Sequence, residues 1–358
     1  MTVPHGTAFA DTKQRQFSLI TAMRFPLIML VLYEHSVGAF AGVSTPYGFV
    51  SELISHHICP IAVCWFFVFS GFLFFQHAPE TFSFNWIVKK WKKRVLTLLV
   101  PYLIWNLLYV AAILLKNFCF EKTGLGASQE ELAAVHQGPY YWFIAGPVDF
   151  PLWYILALMK MTLLTPLLWL FFKWFRSISP FLLIILYLFG WGIPFYIDIK
   201  PLFYFSMGAW LGIRRIDMRQ SCKRIFVPAA FAAFVLLIAA TLRTGHSDHE
   251  YWARLCWPFA MITFMNICDR LNEKPERCDR LCRLAAPVFF IYAAHEIYIL
   301  GWTKGVFVRV FGEGMSGTWI RFIFVPLVVL LVCLAIYQLL NRFVPKTLAF
   351  ACGGRTKQ

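Results

Sequence analysis

Arg24 and His35 stand eleven residues apart inside the first membrane-length apolar run, RFPLIMLVLYEH. An ionisable side chain at that depth costs at least ~2.5 kcal/mol unless it is paired or used. Eleven steps of about 100° make three helical turns plus about 20°, so the two side chains face the same way, about 16 Å apart along the axis. Imidazole titrates near neutrality and is the usual group for moving a proton to or from a hydroxyl. A guanidinium forks onto phosphate or carboxylate oxygens. The other intramembrane polar groups are Glu34, Lys160, His295 and Glu296. Such a set can also simply neutralise itself inside a bundle, a reading that fits Glu34 and Glu296 best and His35 least.

The elements that must position these groups follow from composition. At 59% hydrophobic, 18% aromatic and 14% charged residues, the chain reads as an all-α polytopic membrane protein with no soluble domain of useful size. Ten spans are predicted, at 17–40, 58–76, 95–115, 152–172, 180–197, 201–213, 226–242, 251–268, 285–302 and 320–343. The sixth is short, and its Phe205, Gly208 and Gly212 predict a close-packed or tilted helix. Gly190, Gly192 and Pro194 break the fifth. Residues 1–16 and 344–358 read as cytoplasmic tails flanking a single membrane domain over 17–343.

Charge supports this topology. With the N-terminus inside, 23 of the 33 Lys and Arg residues fall on inside segments and 7 on outside ones, alternating as Lys and Arg retention on the cytoplasmic side requires. Both termini are then cytoplasmic. The same bias accounts for most of the net charge of +15, so no nucleic-acid partner is implied. Lys13, Arg15 and the later Ala39-Phe40-Ala41 admit a cleaved secretory signal as a competing reading, but the apolar stretch is too long and retains Arg24, Glu34 and His35. The ten cysteines are scattered without a disulfide framework, and Cys278 and Cys282 lack a second ligand pair, so no metal is expected. His56, His57, His246 and His249 give no metal-binding spacing in the sequence. Nucleotide-binding signatures are absent, which removes an ATP-driven pump.

Four segments resemble the acyltransferase family 3 membrane proteins, which move acetyl or other short acyl groups onto sugars of bacterial surface glycans. The first span has the family's Arg and His as Arg24 and His35. FFVFSGFLFF is similar to its aromatic pair and Ser-Gly, here Phe66, Phe67, Ser70 and Gly71. KKWKKRVLTLLVPYLIWN places Lys90, Lys93, Arg94, Pro101, Tyr102 and Trp105 on matching positions, and FFIYAAHEI ends on His295. PLWYILALMKM resembles the family's fourth-span segment but has Leu156 and Ala157 where members often carry a charged pair. Lys160, one turn beyond Leu156, either replaces that charge or marks a different acceptor or donor.

The resemblance implies an acyltransferase of the bacterial cytoplasmic membrane that uses acyl-CoA, by preference acetyl-CoA, as donor co-substrate and a surface or lipid-linked glycan as acceptor. Acyl transfer needs a base for the hydroxyl, an oxyanion stabiliser and a cationic clamp for the coenzyme A phosphates. Arg24, Lys90, Lys93 and Arg94 are the expected clamp, and His35 the general base or transient acyl carrier, with Arg24 also counted as catalytic. Lys160, His295, Glu296 and Trp153 are expected at the acceptor. Lys90, Lys93 and Arg94 equally suit a topology signal, Ser70-Gly71 a tight helix contact, and His295 a satisfied core histidine. The outside segment 116–151, with Tyr140, Tyr141, Trp142 and Asp149, is a candidate acceptor lid. A transporter or glycan flippase with Arg24, His35 and Lys160 along its path is the rival reading. It lacks the paired broken helices typical of such folds.

Overall fold

The computed structural model describes residues 5–37, 42–124, 126–190 and 198–355. Ala39-Phe40-Ala41, Gly192 and Pro194 lie outside these residues. All regular structure among the described residues is helical. Helix α1 is His5–Ser36. Helix α2, Pro46–Phe75, contains a π-helical segment, Leu53–Ile58. Helix α3, Phe84–Phe120, contains another, Val95–Leu99. Two short helices follow, α4 (Gln129–His136) and α5 (Gly138–Ile144), then α6 (Phe150–Leu163) and α7 (Thr165–Phe189), which is interrupted at Arg176 with φ 42°. Next come α8 (Ile199–Ile213), α9 (Met218–Arg224), α10 (Phe226–Leu242) and α11 (His249–Leu271). The chain closes with α12 (Pro275–Arg283), α13 (Val288–Phe311), α14 (Met315–Phe343) and α15 (Pro345–Ala351).

The molecule is a polytopic membrane protein, but its helices divide differently from the ten predicted spans. Among the described residues, five helices are long and apolar enough to cross a membrane, and seven if the bent pairs α9 with α10 and α12 with α13 each count as one span. The difference has local causes. α8 has only 15 residues, α11 carries Glu250, Arg254 and Asn266 along its length, and the predicted fourth and fifth spans are re-cut into α6 and an interrupted α7.

The expected close packing in α8 is present. A Cβ on Gly208 would stand 2.0 Å from the Val68 carbonyl oxygen, one on Gly71 2.1 Å from that of Phe205, and one on Gly212 2.7 Å from that of Phe72. α2 and α8 therefore touch backbone to backbone, the arrangement small residues permit in apolar surroundings. Gly71 lies on this contact, while its neighbour Ser70 faces the cavity side, its Oγ 3.3 Å from the Tyr154 hydroxyl.

Residues 344–355 pack against the rest of the molecule. Leu348 and Cys352 are buried, and the Ala351 carbonyl accepts a hydrogen bond from Trp105 Nε1 at 3.0 Å. Gly353 and Gly354, at φ 62° and 77°, then turn the chain back on α3 in the left-handed region that favours glycine. The Arg355 guanidinium donates to the Thr97 carbonyl at 2.6 Å.

Candidate active site

A cavity of about 260 Å³ runs between α1, α2, α6 and α13 and is lined by both Arg24 and His35. The sequence spacing therefore does what helix geometry requires of it: two ionisable groups on one wall, at different depths.

One end of the cavity is cationic. Arg94 and Arg355 line it with Arg24, and all three charges act on the Tyr154 hydroxyl. Position in the basic turn selects Arg94. Trp91 Nε1 donates to the Thr162 carbonyl at 2.8 Å and to Thr165 Oγ1 at 3.3 Å, which fixes that face of α3 against the α6–α7 junction. Arg94, three residues on, shares the face. Lys93 is exposed, and Lys90 packs its ammonium over the Trp86 ring, 5.0 Å from the centroid; neither lines the cavity. Arg355 was hidden from sequence reasoning in an apparent tail. The doubled glycine before it was the signal of a chain reversal.

The other end holds the histidines. His35 Nδ1 lies 3.4 Å from Glu296 Oε1, and the rings of His35 and His295 are 5.2 Å apart, centroid to centroid. Lys304 Nζ donates to the His35 carbonyl at 2.6 Å. His295 is fully buried, with Nδ1 2.8 Å from the Tyr292 carbonyl and 3.1 Å from that of Ile291. Carbonyls only accept, so Nδ1 carries the proton and Nε2 keeps the lone pair; Nε2 has no hydrogen-bond partner among the described residues. The same logic applied to His35 directs an Nδ1 proton at Glu296 and leaves Nε2 basic, the orientation a carboxylate imposes on a catalytic imidazole. Just past this pair α13 kinks, with Tyr298 at φ 60°, which ends the helical turn that carries His295 and Glu296. His35, His295 and Glu296 each bring one ligand-type atom within 4.8 Å of the others.

The segment that ends at Pro151 closes over this end. Asn106 Oδ1 accepts from the Val148 and Asp149 amides at 2.8 and 3.2 Å, the Tyr102 hydroxyl donates to the Trp142 carbonyl, and that of Tyr292 donates to the Pro151 carbonyl. Phe150 thereby sets its ring edge on His35, centroids 6.0 Å apart. Asp149 is fully buried, and neither carboxylate oxygen has a hydrogen-bond partner among the described residues. Burial, with the Glu296 charge adding to it, pushes its carboxyl well above the usual carboxylate range. Spacing alone gave no sign of this residue's depth.

Lys160 lies elsewhere. It lines a separate cavity of about 130 Å³ together with Asp198 and Trp153. Trp153 lines both cavities and forms part of the wall between them.

Comparison with known proteins gives the chain's family. A family described as an acyltransferase domain matches residues 18–338. The succinoglycan biosynthesis protein ExoH of Rhizobium meliloti (strain 1021) is 23% identical over 354 residues, covering 94% of this chain and 92% of that protein. No solved structure matches the chain.

Proposed function

Since this chain belongs to the acyltransferase domain family, we propose that it transfers an acyl group, by preference acetyl, from cytoplasmic acyl-CoA to a hydroxyl of an extracytoplasmic or lipid-linked glycan in a bacterial cytoplasmic membrane. The glycan acceptor is suggested by the relative's part in succinoglycan biosynthesis. One observation carries the reading: a single cavity joins a cluster of three arginines to a carboxylate-oriented histidine.

The cluster of Arg24, Arg94 and Arg355 suits the phosphates of coenzyme A, since guanidinium groups bind phosphate in a fork of donors. Pockets that enclose drug-sized ligands run from about 300 Å³ upward, so a cavity of about 260 Å³ holds the acylated pantetheine arm while the nucleotide stays outside the arginines. On α1 the arginine and the histidine are about 16 Å apart by helix rise, a span for an extended arm. At the far end, His35 Nε2 takes the proton of the acceptor hydroxyl as its oxygen attacks the thioester carbonyl. The carbon–sulfur bond then breaks, and the departing thiolate receives that proton. The Ser70 and Tyr154 hydroxyls, 3.3 Å from each other on the cavity wall beside the arginines, are polar partners for the amides of the arm. His295, Glu296 and Trp153 surround the acceptor end, and Lys160 in its own cavity contacts a more distant part of the acceptor.

The test is acetyl-CoA turnover by purified protein in detergent, followed as free thiol, with wild type beside His35→Ala. Slow hydrolysis in wild type that vanishes in the variant supports the reading. Folded wild type that neither binds nor turns over acetyl-CoA would instead favour passage of a glycan along Arg24 and His35.

A further inference from the structure

We propose that Glu52, His57 and His249 bind one divalent transition-metal ion of the zinc class, at a site separate from the acyl-transfer cavity. None of the three lines that cavity. One ligand-type atom from each lies within 4.8 Å of the other two. Around a tetrahedral ion with bonds of about 2.0 to 2.1 Å, ligand atoms stand about 3.4 Å apart, so small side-chain rotations close the set.

Local structure explains how residues so unpromising in sequence come together. Glu52 and His57 are five apart, which on an α-helix turns them well away from each other. The segment between them is π-helical, Leu53–Ile58, and its i→i+5 periodicity returns His57 to the face of Glu52. π-turns of this kind recur at functional sites. His249 arrives from the first residue of α11, its ring 5.1 Å from that of His57, centroid to centroid.

The lone pairs are oriented and unused. His57 is fully buried. Its Nε2 sits 3.3 Å from Thr244 Oγ1, and its Nδ1 has no hydrogen-bond partner among the described residues. A ring N–H at Nε2 donated to Thr244 leaves the Nδ1 lone pair for a metal, with the threonine as the supporting acceptor that metal-bound histidines ordinarily have. His249 Nε2 is likewise buried and unpartnered among the described residues. Thr244 Oγ1 also donates to Glu52 Oε1 at 3.4 Å, and His56 Nδ1 lies 3.0 Å from Glu52 Oε2, so the carboxylate is held in place from both sides. Trp257 Nε1 fixes the His57 backbone through its carbonyl at 3.2 Å. Two buried imidazole nitrogens without partners beside a buried carboxylate are what a cation would satisfy. Two nitrogens and an oxygen without thiolate favour zinc or cobalt over copper(I), with a fourth position left to water. The ion would staple the π-segment of α2 to the start of α11.

Tag-free protein in detergent, stripped with a chelator, is titrated with Co²⁺ and followed by visible absorption and thermal unfolding. The expected result is one Co²⁺ per chain with the bands of a four-coordinate site, displaced by Zn²⁺, and a raised unfolding midpoint. Both effects should vanish in His249→Gln and persist in His35→Gln. Zinc-edge absorption spectroscopy of the wild type should show two imidazoles in the first shell, which tests the site even where a variant folds poorly. No binding by wild type, binding unchanged in His249→Gln, or binding lost only in His35→Gln would each overturn the proposal.

Discussion

The guanidinium of Arg355 donates to the carbonyl of Thr97 at 2.6 Å, tying the last described residue of the chain to the π-helical segment of α3. A π-turn shifts the backbone hydrogen-bond register, and here Thr97 offers its carbonyl to a side chain. The same guanidinium lies 4.3 Å from the centre of the Phe289 ring, and it joins Arg24 and Arg94 on the cavity wall. Replacing Arg355 by Ala should therefore weaken donor binding by about tenfold or more, the effect of losing a charge-assisted hydrogen bond worth ~1.5 kcal/mol. Equilibrium binding of acetyl-CoA measures it.

Within the basic turn the cations should separate by position. Arg94→Ala should weaken acetyl-CoA binding, whereas Lys93→Ala should leave it unchanged because that side chain is exposed and off the cavity. Equal losses in both variants would mean that the whole turn acts as a diffuse field.

His35→Ala should reduce turnover by about 10² to 10⁴, the usual contribution of a general base. Glu296→Gln keeps the shape but removes the charge 3.4 Å from His35 Nδ1. It should lower kcat, leave KM for the donor near its original value and alter the pH profile of kcat. A purely structural glutamate would leave that profile unmoved.

Asp149 should make stability depend on pH. Its folded-state carboxyl is raised by burial, so the contribution it makes is fully present below the unfolded value of ~3.9 and is lost as pH rises through the folded value. Asp149→Asn removes that loss. The midpoint of thermal unfolding should then fall, as pH rises above the unfolded value, more steeply in the wild type than in the variant.

Much of this was legible in the sequence. The shared wall of Arg24 and His35 follows from helical periodicity, and the tight contact of Gly208 and Gly212 from residue size alone. Other features depend on the third dimension. KKWKKR puts cations on every side of a helix, and only the anchoring of Trp91 selects Arg94. The depth of Asp149 is decided by Asn106, 43 positions away. The short sixth span was legible and is the 15-residue α8, whereas the bends between α9 and α10 and between α12 and α13 carry no signature in apolar periodicity. Histidines spaced without a metal pattern are brought together by a π-turn, which apolar periodicity does not reveal.

Gly208→Ala should cost about 1 to 3 kcal/mol through overpacking, since its added methyl would fall 2.0 Å from a backbone oxygen. Thermal unfolding in detergent would register the loss.

The seam through Gly71, Gly208 and Gly212 also divides the molecule mechanically. Two helices locked backbone to backbone cannot slide or tilt against each other without collision, so α2 and α8 form one fixed partition. Ser70 and Phe66 stand on one side of it, facing the cavity. Any widening that admits a donor or releases a product must come from the other walls, α1, α6 and the kinked α13, with the segment before Pro151 that rests on α13.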